Sequence, residues 1–471
     1  MSPTQSVDRS EVTVTLASRL SDRILSKQAA VGIIGLGYVG LPLALTFAEG
    51  GFATTGFDVD AGKIASLRHG ASYFRHIPSA AVAEQVEQKR FRPSTDFAEL
   101  REMDAVIICV PTPLDAHREP DLSFIRETAR AISSVLRAGQ LVVLESTTYP
   151  GTTEELVLPL LERSTFKCPP AVYSVTGNEV QDEPEIESDF FLAFSPERED
   201  PGNSQIERSF IPKVVGGVNG PSARVAKTLY AQVFKHTVLV SGSRVAEMTK
   251  LLENTYRCVN IALVNELKLL CMRAGINIWE VIEAAKTKPF GFSVFYPGPG
   301  LGGHCIPVDP FYLSWKAKEY DFPTRFIELA GEINTAMPDH IVEGVAGALD
   351  RLGKPLSQSR ILVLGAAYKK DVGDTRESPA LRIIDLLQNR GATVEYNDPY
   401  VPRLAKMRKH NLDLESVPLS RDRLKTSDCV LIVTDHSSYD YSWILKESSL
   451  VVDTRNATAQ VAHDRDKVVH V

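Results

Sequence analysis

Three places in the chain carry residues whose types and spacing suit chemistry. The first is GPGLGGHCIPVDP, residues 298–310, where Cys305 follows His304 and precedes Asp309 by four positions. A thiol framed this way can be structural, a metal ligand, a redox sensor or a nucleophile. A metal site needs more His or Cys at ligand spacing, and only His304 and Asp309 are near. The six cysteines show neither a CxxC nor paired spacing, so a disulfide lacks an obvious partner. A buried inert thiol is the commonest fate of a cysteine, yet glycines at this density let backbone wrap a ligand or present amides. The second place is the pair Lys250 and Asn254, four apart on a helical pattern and therefore on one face. Together they can stabilise an oxyanion or position a water, although an isolated pair of this kind is more often solvated. The third is Glu197, which closes the apolar run FLAFSPE and can act as a general base if a reacting group lies near it.

These residues need elements to hold them. Gly35-Leu36-Gly37-Tyr38-Val39-Gly40 follows a strand pattern at Val31–Ile34 and opens a helical pattern over Val39–Glu49, and Asp58 ends the next strand. The first glycine permits the turn, the second admits a pyrophosphate, and the third allows close helix–strand packing. The helix N-terminus offers amides to phosphates, and Asp58 is placed for ribose hydroxyls, which favours NAD over its 2′-phosphorylated form. Two further strand ends, VPTP with Thr112 and STTYPG with Thr147, fall where an open parallel sheet gathers ligands. A hydride acceptor combined with a nucleophilic Cys305 suggests aldehyde oxidation through a thiohemiacetal and a thioester.

Around these motifs, short apolar strands alternate with helical patterns near both ends of the chain. A helical pattern of about thirty residues lies between them, from SRVAEMTKLLENTYR to Gly275, with Ser243 as a candidate cap. The expected fold is α/β: two Rossmann-like doubly wound domains joined by a long central helix and a helical dimerisation core. The boundaries read as a polar extension over 1–28, a dinucleotide-binding domain over 29–218, a helical domain over 219–340 and a second Rossmann-like domain over 341–471. Residues 166–188, rich in Pro, Glu and Asp, read as a surface insertion.

Composition narrows the class. At 471 residues the chain exceeds one ordinary core, and 44% hydrophobic with 24% charged residues is globular. A net charge of −7, from 52 basic and 59 acidic residues, argues against nucleic acid. No apolar run reaches the ~18 residues of a membrane span, and the N-terminal segment lacks a signal-peptide core. Scattered cysteines fit a reducing compartment, so a cytoplasmic enzyme without a metal is expected.

The motifs GLGYVGLPLA, VPTP, STTYPGTTE, FSPER, AEMTKLLENTYR, GGHCIPVDP and YKKDVGDTRESPA occur in this order, and with them the chain resembles the UDP-glucose/GDP-mannose dehydrogenase family over about residues 29–460. The resemblance implies oxidation of a nucleotide sugar from the C6 alcohol to the carboxylate with two NAD+, in a homodimer or larger homo-oligomer serving polysaccharide biosynthesis. By motif, Cys305 would be the nucleophile, and Lys250 and Asn254 would hold the C6 oxygen. Asp309 would help activate water, Glu197 would serve as acid/base and Thr147 would position water. The NAD contacts would include Gly35, Gly37, Tyr38, Val39, Gly40, Asp58, Lys63, Thr112, Thr147 and Arg376. The nucleotide-sugar contacts would include Glu197, Arg198, Lys250, Asn254, Phe295, Tyr296, Gly300, Gly302, Tyr368, Lys369 and Arg455.

Two departures bear on the substrate. Family members acting on UDP-glucose commonly carry a second acid four residues after the first, where this chain has Pro201. GGHCIPVDP and TKPFGFSVFYPGPGLGG resemble the branch acting on UDP-2-acetamido sugars, particularly UDP-N-acetylglucosamine, with UDP-N-acetylmannosamine and UDP-glucose as alternatives. A basic residue common in the family about sixteen before the cysteine would fall on Pro289, next to Lys288. Two rivals are a single-step hydroxyacid dehydrogenase, which has no use for Cys305, and a non-catalytic nucleotide-sugar sensor.

Overall fold

Strand β1 (Ala30–Ile34) reads AVGII and is buried along nearly its whole length, as a strand flanked on both edges and covered on both faces must be. Residues 15–74, 77–115, 119–181, 186–199, 207–303, 306–404 and 412–471 are described in this computed structural model. The chain divides into two units, Met1–Leu251 and Leu252–Val471.

In the first unit, β1 has β2 (Ala53–Phe57) and then β3 (Phe91–Ser94) on one side. On the other side come β4 (Ala105–Ile108) and β5 (Leu141–Leu144). A hairpin, β6 (Ser174–Thr176) with β7 (Glu179–Gln181), precedes the remaining strands β8 (Phe191–Phe194), β9 (Lys213–Gly217) and β10 (Thr237–Leu239). The sheet order is β10-β9-β8-β5-β4-β1-β2-β3, parallel throughout except between β8 and β9. Chain order reverses between β1 and β4, which opens a crevice at the carboxyl ends of those strands. The sheet therefore passes the boundary expected at residue 218. The reason is that β10 has three residues, too few to show a strand period.

The insertion read as a surface loop is partly built into the sheet. Tyr173 is buried, accepting from Gly217 N at 3.0 Å and donating to Val240 O at 2.8 Å. Asn178 accepts from Leu239 N at 2.6 Å and donates to Thr237 O at 3.0 Å. Its amide thus pairs the backbone of β10 as a neighbouring strand would and blunts an otherwise open edge.

The helix Ser243–Ala274 begins in the first unit and continues into the second. Gly275 follows it at φ +68, the left-handed residue that ends many helices. The helices Ile278–Lys286, Asp309–Ala317 and Arg325–Asp350 precede the second sheet. That sheet contains β11 (Arg360–Leu364), β12 (Thr393–Asn397), β15 (Cys429–Ile432), β16 (Val451–Asp453) and β17 (Val468–His470), with a small hairpin of β13 (Arg403–Leu404) and β14 (Leu414–Glu415) between. Its order is β12-β11-β15-β16-β17, all parallel. A doubly wound α/β architecture is thus present twice. No described helix is long and apolar enough to cross a membrane.

Candidate active site

The glycine turn after β1 meets the demands that its letters imply. Gly35 has φ +90, and a Cβ there would stand 2.6 Å from the Cys109 carbonyl oxygen. At Gly40 a Cβ would collide with the Gly35 carbonyl oxygen, so the helix Gly40–Glu49 can approach only without one. At Gly37 nothing lies within 4 Å of the Cβ position, which leaves the backbone open toward a ligand. Val39 leads into the helix, and the Tyr38 ring packs 4.4 Å from that of Phe74. Asp58, buried at the end of β2, accepts from Leu36 N at 3.0 Å and from Lys63 Nζ at 3.1 Å. An open glycine at a helix N-terminus with an acid on the next strand fits a dinucleotide.

The other strand ends come together beside this turn. Ser146 Oγ donates to Val110 O at 2.8 Å, which ties the STTYPG turn to VPTP. Thr112 is buried and Thr147 half-buried on these two turns. The STTYPG turn is then fixed to the long helix by Glu247, a residue that sequence reasoning missed. Its fully buried carboxylate accepts from Gly151 N at 2.5 Å, Thr153 N at 2.9 Å and Thr153 Oγ1 at 2.7 Å. Burial nonetheless pushes its pKa up to about 7. Lys250, buried, follows on the same helix one turn later.

Glu197 sits just past β8. Its Oε1 accepts from Arg198 N and Glu199 N, each at 2.8 Å. Arg198 reaches the residue before β9, with Nη1 donating to Pro212 O at 2.8 Å. The cation facing Glu197 is Lys213, 3.3 Å from Oε2 and 3.0 Å from Oε2 of Glu145. Sequence reasoning missed both Lys213 and Glu145. The antiparallel register of β8 and β9 pairs Phe194 with Gly216, and continuing it brings Lys213 opposite Glu197. Glu145, at the end of β5, also accepts from the Tyr230 hydroxyl. Burial works against ionisation of both acids. At Glu197 the charges of Lys213, Lys250 and Arg208, with the backbone donors, outweigh it and lower the pKa. At Glu145 burial prevails and the pKa is raised. The two neighbouring acids are thus shifted in opposite directions by their surroundings.

In the second unit, Asn254 Nδ2 donates to Asp309 Oδ2 at 2.5 Å, and both residues are buried. Asp309 opens the helix Asp309–Ala317, whose N-terminal dipole favours a carboxylate. The loop before it is held by Asn265 Oδ1, which accepts from Gly298 N at 2.9 Å. Phe295 packs 5.8 Å from the Tyr256 ring. Tyr296 stacks on Trp279, and its hydroxyl donates to Glu283 at 2.6 Å. The glycines of this loop serve packing as much as ligand approach. A Cβ on Gly302 would meet Tyr368 Cβ at 2.5 Å, and one on Gly303 would meet the Tyr368 ring at 3.0 Å. Gly300, at φ +130, lies against Asn334 O and Pro379. Lys369 follows Tyr368, half-buried. Arg376 lies in the second unit, where Nε and Nη2 bind the Asp374 carboxylate. Arg455 follows β16, with Nε donating to Val433 O at 3.2 Å.

Cys305, His304 and Pro201 lie outside the described residues. Four of the remaining cysteines are held as thiols by burial: Cys168 and Cys258 are pushed up to about 11, Cys429 to about 12, and Cys109 well above its ordinary value. Such thiols are poor nucleophiles.

A dinucleotide-type sheet with ionisable groups at its carboxyl edge, followed by a second Rossmann-like sheet, defines a nucleotide-dependent dehydrogenase. The chain belongs to the UDP-glucose/GDP-mannose dehydrogenase family. The family's NAD binding domain matches residues 29–234, its central domain 244–336 and its UDP binding domain 362–460. The cofactor is NAD. UDP-N-acetyl-D-mannosamine dehydrogenase of Pyrococcus horikoshii is 34% identical over 435 residues, covering 90% of this chain and 95% of that protein. UDP-N-acetyl-D-glucosamine 6-dehydrogenase of Pseudomonas aeruginosa is 33% identical over 414 residues, covering 88% and 92%. The solved structure of UDP-D-ManNAc dehydrogenase from Pyrococcus horikoshii superposes with a TM-score of 0.80 at 31% identity, covering 94% of this chain and 99% of that one.

Proposed function

We propose that the protein is a UDP-2-acetamido-sugar 6-dehydrogenase, which oxidises the C6 alcohol to the carboxylate with two NAD+. The observation that carries this is the pair of unlike acids at the carboxyl edge of the NAD-binding sheet, Glu197 with its pKa lowered despite burial and Glu145 with its pKa raised by burial. Bound NAD supplies the hydride acceptor for both oxidations. Glu197 accepts the proton that leaves the C6 hydroxyl as the aldehyde forms. The Cys305 thiolate adds to that aldehyde, and Lys250 and Asn254 stabilise the resulting oxyanion. Loss of the second hydride gives a thioester, and water hydrolyses it to the acid and regenerates the thiol. Asp309 helps activate this water, and Asn254 fixes Asp309 by their hydrogen bond. Covalent capture lets one site perform both steps without releasing aldehyde.

Relatives named for the mannosamine and for the glucosamine epimer match at 34% and 33% identity, which favours an acetamido substrate and leaves the epimer to measurement. Initial NADH formation should be faster with UDP-N-acetylglucosamine or UDP-N-acetylmannosamine than with UDP-glucose, with two NADH per acid formed. One NADH per product would replace this reading with a single-step dehydrogenase, and Cys305→Ser should stop acid formation. We further propose a homodimer, because the long helix exposes an apolar stripe of Val245, Met248, Leu252, Tyr256, Leu263, Leu267 and Leu270.

A further inference from the structure

Lys268 lies on the long helix with only 2% of its surface exposed, and its Nζ has no hydrogen-bond partner among the described residues. A buried ammonium without an acceptor is strongly disfavoured. Burial, reinforced by the neighbouring Arg455 and only partly offset by Asp453, pulls its pKa down to about 7. Asp453 has no oxygen to spare for it. Oδ1 accepts from Arg455 N at 2.9 Å and Ala457 N at 3.1 Å, and Oδ2 accepts from Thr458 N at 2.9 Å and Thr458 Oγ1 at 2.8 Å.

A second orphan belongs to the same neighbourhood. Nδ1 of His470, the last residue of β17, is buried with no hydrogen-bond partner among the described residues. Burial, with Arg465 and Lys268 opposing Asp453, lowers its pKa. Asp453 and His470 end β16 and β17, at the carboxyl edge of the second sheet where ligands of such folds gather. Arg455 stands beside them, and its Nη1 lies 2.6 Å from where a Gly298 Cβ would be. Gly298 is in turn bonded to Asn265, one turn before Lys268 on the long helix. Lys268 and Arg455 thus face Asp453, whose oxygens are taken by neighbouring backbone and the Thr458 hydroxyl, while Asp435 also acts on Arg455 and Arg465 stands by His470.

We propose that Lys268, with Arg455 and Nδ1 of His470, forms a buried seat for the diphosphate of the nucleotide sugar, so that this lysine is a substrate-binding residue. The inference rests on the reading of the protein as a nucleotide-sugar enzyme. Lys268 is largely uncharged in the free protein above neutral pH and takes up a proton as the dianionic group binds. This avoids burying an unpaired charge before the ligand arrives.

The test is calorimetric titration of the full chain at pH 8 with UDP and with inorganic pyrophosphate, in two buffers of different ionisation enthalpy. The wild type should take up about one proton for each UDP bound, because a group with a pKa near 7 is mostly unprotonated at pH 8. Lys268→Met should bind UDP at least tenfold more weakly and without uptake, and should raise KM for the nucleotide sugar far more than it changes kcat. Lys268→Arg, permanently charged, should recover affinity but not the uptake. Unfolding curves for both variants would show that the fold is kept, since replacing a buried unpaired ammonium by Met is not destabilising in itself. Wild-type affinity and uptake in Lys268→Met would overturn the seat and leave the enzyme reading intact. Uptake with pyrophosphate and none with UDP or UDP sugars would keep the seat and overturn the substrate. Binding of neither would overturn the seat.

Discussion

Lys213 is the residue on which the chemistry of the first unit turns. It is shared by the buried carboxylate of Glu145 and the half-buried one of Glu197, and its loss leaves both without their nearest cation. Lys213→Met should therefore raise the pKa of Glu197 and move the acidic limb of the kcat–pH profile to higher pH, lowering kcat near neutrality by tenfold or more. Lys213→Arg should restore the limb. An unmoved limb in the Met variant would show that Glu197 is not the group being titrated. The place of Glu197 at the sheet edge was legible in the sequence, because the apolar strand FLAF stops three residues before it. Its partner was not, since nothing in KVVGG announces that β9 runs against β8 and so returns its first residue to the edge where β8 stops. Glu145 was equally hidden, a single acid after four apolar letters of β5.

At the scale of elements, Glu247 joins the long helix to the turn that follows β5. Glu247→Ala orphans the amides of Gly151 and Thr153 and should cost about 2 kcal/mol or more of stability, measured by denaturant unfolding. Its pH signature has a definite sign. The folded pKa, about 7, lies above the ordinary 4.5, so the stabilisation linked to its proton is complete below pH 4.5 and is lost as pH rises through 7. Wild-type stability should fall between pH 5 and 8 by something on the order of 3 kcal/mol from this group, and the Ala variant should lack that component. The helix, its glycine stop and both alternations of strand and helix were readable from periodicity, which reports burial of a face. The edge pairing by Asn178 was not, because it depends on one side chain mimicking a strand.

For the whole molecule, the exposed stripe predicts association. Leu252, 60% exposed, and Leu263, 50% exposed, stand on it, and an apolar stripe of this length is rarely left in water. Leu252→Glu with Leu263→Glu should convert a dimer to a monomer in light scattering, and an unchanged mass would assign the dimer contact elsewhere. The twofold use of one architecture was legible from the strand alternation. Less evident was how closely the second sheet repeats the turn of the first. A Cβ on Gly365, at φ +85, would stand 2.6 Å from Thr434 O, as one on Gly35 would from Cys109 O, and Asp398 accepts from Ala366 N at 2.7 Å as Asp58 accepts from Leu36 N.

The contact of Gly302 and Gly303 with Tyr368 constrains how this protein can be recombined. Two segments more than sixty residues apart in the chain fit only as a matched set, since a single methyl group on either glycine meets the tyrosine. A chimaera that takes its last domain from a relative must therefore take the cysteine-bearing loop from the same parent, or the graft will displace the loop it was meant to preserve.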